Sequence, residues 1–579
     1  MTAGSTKRRT SLAFDRDHPR YKWVALSNTT LGVFMATINS SIVIIALPAI
    51  FRGIKLDPLQ PGNISYLLWI LMGFLVVTAV LVVSLGRLGD IYGRVRIYNA
   101  GFAVFTAGSI ALALDPLTGG HGALWLIVWR VVQGIGGAML FANSTAILTD
   151  AFPADRRGMA MGINQVAALA GSFVGLIAGG LLAEVDWRLV FFVSVPVGLI
   201  GTIWSYRSLH ELGERRAAKI DWWGNVLFGV GLTAVLVGIT YGIQPYGGHS
   251  MGWTNPWVLA GLIGGCALLA AFCVVETKVA QPMFAMNLFK IRAFWAGNLA
   301  GLLASVARGG MQFMLIIWLQ GIWLPLHGYQ FEDTPLWAGI YLVPLTIAFL
   351  VAGPLSGTLS DRFGARAFAT GGLVLVALSF LGFILLPVNF SYWQFAGLLV
   401  LNGIGSGLFS APNTTAIMNS VPAHQRGAAS GMRATFQNSG FSLSIGLFFS
   451  LMIAGLASTL PDTLKSGLLA HHVPGSIASA VAAQPPVGSL FAAFLGYNPI
   501  KTMVGNQTLS GLSSSDQATL GGRQFFPHLI SQPFHHGLAI AFGMAIAMCL
   551  IGAVASLFRG TRYVHVDEPA DTATAADAA

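Results

Sequence analysis

Three polar side chains stand together in the middle of an otherwise unbroken apolar run, "FMATINSSIVIIALPAI" (34–50): Asn39, Ser40 and Ser41. A neutral amide at that depth donates and accepts hydrogen bonds, but unlike a carboxylate it cannot take up and release a proton. Two arginines have comparable surroundings. Arg130, in "LIVWRVVQGIGGAML", lies about two turns inside the outer end of the run 123–148, and Arg308 lies about fifteen residues, or ~22 Å, into the run 293–323. A cation at membrane depth costs ~2.5–3.5 kcal/mol to insert unless it meets a partner or a wet cavity, so both are candidates for binding a polar or anionic ligand. For Arg130 the competing reading is structural, a guanidinium tied to backbone carbonyls of a neighbouring helix. Gln133, Asn164, Gln165, Gln312, Asn402, Asn413, Arg433, Gln437 and Asn438 complete the set of polar side chains inside apolar runs. Singly, each reads as a bond between helices; together they would line a substrate cavity.

No Asp, Glu or His occupies the middle of any run; Asp115, Glu184, Asp221, Glu276 and His535 lie near ends. A membrane acyl- or glycosyltransferase would cluster such residues at an interface, and no cluster is found. Cys266, Cys273 and Cys549 sit in apolar runs as small fillers, with no disulfide or metal spacing, and His471-His472 is too little for a metal site. Neither a metal nor a cofactor is expected.

The elements that must position these groups follow from composition. With 55% hydrophobic and 9% charged residues over 579 positions and a mean hydropathy of +0.69, there is too little polar surface for a soluble globule. Fourteen apolar runs have the ~20 residues a spanning helix needs, near 23–50, 64–86, 97–114, 123–148, 159–183, 189–206, 222–243, 256–276, 293–323, 336–359, 367–387, 391–418, 428–457 and 536–558. The expectation is an all-α polytopic membrane protein. The bulk of the 32 Lys and Arg falls in loops on one side, Arg87, Arg94, Arg96, Arg156, Arg157, Arg215, Arg216 and Lys219 among them. That asymmetry puts both termini in the cytoplasm and makes the net charge of +10 a topology signal and a contact with lipid headgroups, not a nucleic-acid surface. The first run is too long for a signal-peptide core and no A-x-A-like site follows it.

The chain also repeats itself. "GIGGAMLFANSTAILTDAFPADRRGMAMG" (134–162) lies without gaps over "GIGSGLFSAPNTTAIMNSVPAHQRGAASG" (403–431), with about 11 of 29 positions identical, and "GRLGDIYGRVR" (86–96) lies over "GTLSDRFGARA" (357–367). Two parallel six-helix bundles are therefore expected, 23–206 and 293–558, joined by an inserted pair within 207–292 and flanked by tails 1–22 and 559–579. A substrate site belongs between the bundles near the midplane. The segment 459–535 is too long for a bare connector; it reads either as an extracytoplasmic cap, lying on the outer leaflet or meeting a carrier protein, or as disordered chain.

Each copy of the short repeat offers a latch: Gly86, Gly89, Asp90, Gly93 and Arg94 in the first, Gly357, Asp361, Arg362 and Gly364 in the second. The glycines permit a tight turn and close helix approach, while Asp90 can pair with Arg94 or cap the next helix. In "GSFVGLIAGG", Gly171, Gly175 and Gly179, with Gly180 beside them, bare one helix face; the expectation is that it meets the other bundle as a hinge, with a static packing seam as the alternative.

"GRLGDIYGRVR", "RVVQGIGG", "GLIAGG", "DWRLVFFVSVPVG" (186–198) and "NSSIVIIALP" together resemble the major facilitator superfamily, specifically its fourteen-span drug:proton antiporters, over all but 459–535 and the tails. The resemblance implies a major facilitator fold in a bacterial cytoplasmic membrane and multidrug efflux by alternating access. It also marks departures: Asn39 stands where the family usually has an acidic residue, Ile44 where it has Asn, and Leu176 where it has Pro. Proton coupling at position 39 is thereby lost. The alternative to drug efflux is an exporter or flippase of lipids or anionic amphiphiles, with proton coupling weak, absent or moved to an end residue such as Asp90.

Overall fold

A backbone removed from water must close its own hydrogen bonds, so apolar runs of membrane length become helices. The computed structural model describes residues 18–56, 62–153, 156–212, 221–279, 282–422, 425–495 and 498–559. The tails, the basic loop 213–220 and the side chains of Arg157 and Asp361 lie outside the described residues. Among the described residues fourteen helices are long and apolar enough to cross a membrane: spans 1 to 7 are Tyr21–Gly53, Ser65–Tyr92, Arg94–Ala113, Gly119–Ala151, Met159–Val185, Leu189–Ser208 and Trp222–Gly242. Spans 8 to 14 are Pro256–Glu276, Arg292–Leu326, Thr334–Ser360, Ala365–Leu385, Tyr392–Asn419, Ala428–Ala470 and Phe525–Leu557.

The sequence repeat is a repeat of packing. Span 1 packs on 5, 2 on 4, and 3 on both 4 and 6; in the second half span 9 packs on 13, 10 on 12, and 11 on both 12 and 14. Spans 7 and 8 pack on each other, and span 7 leans on spans 2 and 13. Each latch turns at a glycine with positive φ, Gly93 at 113° and Gly364 at 87°, a backbone conformation that a side chain strains.

The two faces of the molecule differ. On the distal face, opposite the termini, spans 1 and 9 are buried at every position from 41 to 51 and from 313 to 325. Toward the terminal face both keep a half-exposed stripe, Thr30, Phe34, Thr37 and Ser40 on span 1 and Ala304, Arg308 and Gln312 on span 9, with the three- and four-residue spacing of one helix side. The bundles are pressed together distally and parted proximally.

The distal seam is backbone against backbone. A Cβ on Gly180 would stand 2.4 Å from the Cα of Leu336, and one on Gly339 3.1 Å from the carbonyl oxygen of Leu176. Gly171, Gly175 and Gly179 do not take part. They face Phe34, Ile38 and Ile42 of span 1 in their own bundle, which corrects the expectation that this stripe meets the other half. At 3.6 residues per turn Gly180 is rotated ~100° from Gly179, and that one step carries the chain from the internal seam to the interface.

Between spans 13 and 14 the helices run further than their hydropathy suggested: span 13 is continuous to Ala470, and span 14 begins at Phe525. Among its described residues the connection holds five short helices, Gly475–Ala482, Pro486–Phe494, Ile500–Val504, Asn506–Ser510 and Ser514–Leu520. Pro486–Phe494 turns 83° from its predecessor and re-enters the protein. Its apolar residues are too few to cross a bilayer and find burial against span 9 instead, where the Phe494 ring lies 5.5 Å from that of Phe313, tilted to it, and Ala493 abuts Gly321. Span 9 widens there into a π-turn, Leu319–Trp323.

Substituting Gly180→Val forces overpacking of ~1–3 kcal/mol onto the distal seam. We expect a cysteine placed at the buried position Ala338 to react with a distal-side maleimide faster in that background than in the wild type; unchanged labelling would show that the seam does not form there.

Candidate functional site

Arg130 is 1% exposed and does not face a cavity. Its guanidinium donates to the Gln133 side-chain oxygen at 2.9 Å, to the Ile70 carbonyl at 3.2 Å, to the Asn39 carbonyl at 3.5 Å and, by a short bond, to Asn39 Oδ1. It also lies 4.7 Å over the Phe74 ring. Asn39 Nδ2 donates to Ser194 Oγ at 3.3 Å, and Gln133 Nε2 to Ser109 Oγ at 2.8 Å. One chain of polar groups thus ties spans 1, 2, 3, 4 and 6, with every acceptor neutral. The structural reading of Arg130 describes its surroundings, extended to side-chain oxygens and a ring that spacing along the sequence did not reveal.

The second bundle repeats part of this and alters the rest. Asn402 Nδ2 donates to Ser379 Oγ at 2.7 Å, the counterpart of Gln133 on Ser109. At the position corresponding to Arg130 stands Leu399. The cation is on span 9 instead: the crossing of Gly309 on Ser444 corresponds to that of Ser41 on Gly175, which puts Arg308 at the register of Ser40, one residue from Asn39. Arg308 is half-buried and has no hydrogen bond or ion pair among the described residues. It lines a cavity of about 40 Å³ with Ser305, Asn402, Ser406 and Gln437.

The remaining predicted site residues divide in two. Asn164 donates to Ser144 Oγ at 3.1 Å, and Asn413 donates to the Gly297 carbonyl at 3.2 Å while accepting from Arg559; both join helices within one bundle. Gln165, Gln312, Gln437 and Asn438 are half-exposed on spans 5, 9 and 13. Arg433 spends one guanidinium nitrogen on Gln437 Oε1 at 2.8 Å. A residue that sequence reasoning missed crosses between the bundles: Gln320, 1% exposed, donates to the Ile45 carbonyl at 3.4 Å. Its signal was a lone amide in the apolar stretch "IIWLQGIW".

At the terminal face Arg94 bridges Asp90 at 2.8 Å and Asp150 at 2.6 Å, fastening the turn after span 2 to the end of span 4. The second copy has Ala365 and Asn419 in the places of Arg94 and Asp150, so only the first bundle can form this clamp. Outside both bundles, a groove of about 990 Å³ between span 2 and the inserted pair is lined mostly by apolar side chains, with Ser84, Asn225, Thr233 and Asn255 among them and with Trp222 and Trp257 at the starts of spans 7 and 8. Tryptophans at span ends suit the aromatic belt at headgroup level.

The family model described as Major Facilitator Superfamily matches residues 29–445. The tetracenomycin C resistance and export protein of Streptomyces glaucescens is 28% identical over 95% of this chain and 93% of its own length. The multidrug resistance protein Stp of Mycobacterium tuberculosis is 31% identical over 78% of this chain and 82% of its own. Among solved structures, a bacterial homologue of the human lysosomal transporter Spinster, inward-facing and unoccupied, shares the fold with a TM-score of 0.56 at 16% identity, covering 94% of this chain and 99% of that one.

Two outcomes follow from the geometry. Asn39→Ala removes Arg130's shortest acceptor and should cost ~1–2 kcal/mol, read as a lower melting temperature in detergent; in an Arg130→Leu background the same change should cost much less, and equal costs would show that the two side chains are not coupled. Asp115, in the distal loop after span 3, is buried with Oδ2 unpartnered, and that burial raises its carboxyl above the ordinary range. A raised folded-state pKa means stability is lost as pH rises through it. Asp115→Asn should therefore raise the melting temperature at pH 7, with the gain vanishing below about pH 4, where folded and unfolded forms are both protonated.

Proposed function

The chain belongs to the Major Facilitator Superfamily, and from that premise we propose that it is a secondary transporter exporting drug-like amphiphiles across a bacterial cell membrane by alternating access. The observation that carries the reading is the burial contrast along spans 1 and 9, complete distally and striped proximally. The positive-inside rule puts the terminal face in the cytoplasm, so the parted end is the one at which an exporter loads. Gln165, Gln312, Gln437 and Asn438 offer neutral hydrogen bonds to a substrate there, and aromatic groups such as Phe34 offer apolar surface. The names of two relatives, a tetracenomycin C resistance and export protein and the multidrug resistance protein Stp, support a drug-like substrate class.

Position 39 does not carry protons in this reading. An amide has no titration to offer, and both ends of this one are engaged, by Arg130 and Ser194. Exchange with protons belongs to groups at span ends, with Asp90, Asp115 and Glu276 as the candidates. The helices between 475 and 520 are read as a lid over the sealed distal end; Pro486–Phe494 is taken up by the membrane domain, which leaves less of the segment to meet a carrier protein.

The test uses sealed proteoliposomes with an imposed pH gradient, following a fluorescent drug-like probe and a pH dye together. We expect probe flux above that of protein-free vesicles and suppression of it by Gly180→Val. Folded wild-type protein that moves no probe of any charge would sink the proposal. Flux that dissipates the gradient would direct attention to the three end carboxylates.

A further inference from the structure

We propose that Arg308 and the small cavity beside it form an oxyanion subsite in the C-terminal bundle, taking the carboxylate, sulfonate or phosphate head of an amphiphile whose tail lies in the cleft between the bundles. The position of the tail rests on the export reading above; the head-group site does not.

The argument begins with the cation. Every other arginine described at depth is engaged: Arg130 by four oxygens, Arg433 by Gln437 and Thr414, Arg559 by Asn413. Arg308 alone has no hydrogen bond or ion pair among the described residues, and it borders a cavity. A guanidinium carries five donors and no acceptor, so what completes it must supply oxygens.

The cavity has the right size and chemistry. Its volume of about 40 Å³ holds roughly three waters at 10–15 Å³ each, which is room for a head group and not for a whole drug. No acidic side chain lines it, so nothing there neutralises Arg308 or repels an anion. Arg433 occupies the oxygen of Gln437, which leaves the amide nitrogen as the end of Gln437 still able to bond, as a donor. Met311, Leu373, Val376 and Phe380 are among the residues that give the wall apolar surface, where a charge-assisted bond is stronger than in water.

Comparison of the repeats supports the same conclusion. The first bundle surrounds its guanidinium with Asn39, Gln133 and the Ile70 carbonyl; the second keeps the equivalent amide-on-serine bond, Asn402 on Ser379, but offers Arg308 no acceptor. A bound oxyanion would stand where the first bundle uses its own oxygens.

The experiment measures binding of radiolabelled dodecanesulfonate and of dodecanol, which has the same tail without the charge, to the full-length protein in phosphatidylcholine nanodiscs, corrected for empty discs. We expect the sulfonate to bind on the order of tenfold tighter or more, Arg308→Gln to abolish the difference, and Arg308→Lys, which keeps the charge, to retain most of it. Equal binding of the two probes to wild type, or discrimination that survives Arg308→Gln while the variant elutes as a folded monodisperse species, would overturn the subsite. Displacement of dodecanesulfonate by methanesulfonate at equal concentration would assign the cavity to a free small anion and overturn the amphiphile. Export of an uncharged probe by the wild type, measured in parallel, separates the two claims: its absence counts against export alone, while the nanodisc discrimination between dodecanesulfonate and dodecanol decides the subsite.

Discussion

A guanidinium held among neutral oxygens sets the arrangement of the N-terminal bundle. Arg130 cannot shed its proton, and no water reaches it, so its hydrogen bonds must come from protein. The oxygens it uses come from spans 1, 2 and 4, and their other ends reach spans 3 and 6 through Ser109 and Ser194. Moving any of these helices apart strands a buried charge, so five of them share one arrangement. A transporter that works by rocking requires such rigid bodies. The network also decides what Asn39 is: an acceptor for a fixed cation, held in place, at a position where a carboxylate would have titrated.

The duplicated scaffold has been spent differently in its two halves. The same helix pairs pack in each, the same glycines turn the loops after spans 2 and 10, and an amide bonds a serine at corresponding depths. The charges are not duplicated. The first bundle encloses its arginine and clamps its terminal face with Asp90, Arg94 and Asp150; the second lacks both the enclosed arginine and the clamp, and leaves Arg308 at the edge of the cleft. One half is tied within itself, and the other keeps its bonding capacity for something that arrives.

The parts of this legible in the sequence were those that depend on local composition. Apolar length marked all fourteen spans, and the repeat announced two bundles, because hydrocarbon thickness and duplication act on the chain directly. The Gly171, Gly175 and Gly179 stripe was visible as a bare face, but its neighbour was not: which helix fills it depends on rotation by a single residue, and Gly180 shows how much one residue changes. Arg130 was recognised as buried, and Asn39 as displaced from a carboxylate role, yet no spacing along the chain places residues 39 and 130 together. The extra turns of spans 13 and 14 were hidden because polar side chains such as Asp462 and Lys465 lower hydropathy at a helix end without ending the helix. Apolar Pro486–Phe494 lacked the length of a span, and only the tertiary partner on span 9 explains its burial.

The distal seal is strong in packing and weak in polar bonds, and that difference bears on how transport is coupled. Its described tie between spans 1 and 9 is one long bond from Gln320 to the Ile45 carbonyl, and polar contacts between membrane helices average only ~0.6 kcal/mol. Opening the distal end therefore gives up packing and few polar bonds, while the proximal ends that meet carry Thr37, Ser40, Gln312 and Arg308. Among these the unpaired charge at the cleft weighs most on the direction. Closing the proximal end on an empty site strips water from Arg308 with nothing to replace it, which opposes the motion. An oxyanion at the subsite removes that penalty, so it binds the closed form better than the open one, and a ligand shifts a conformational equilibrium only by such a difference in affinity. An arginine without a partner thus links loading to rocking in a chain whose first span has no carboxylate to do so.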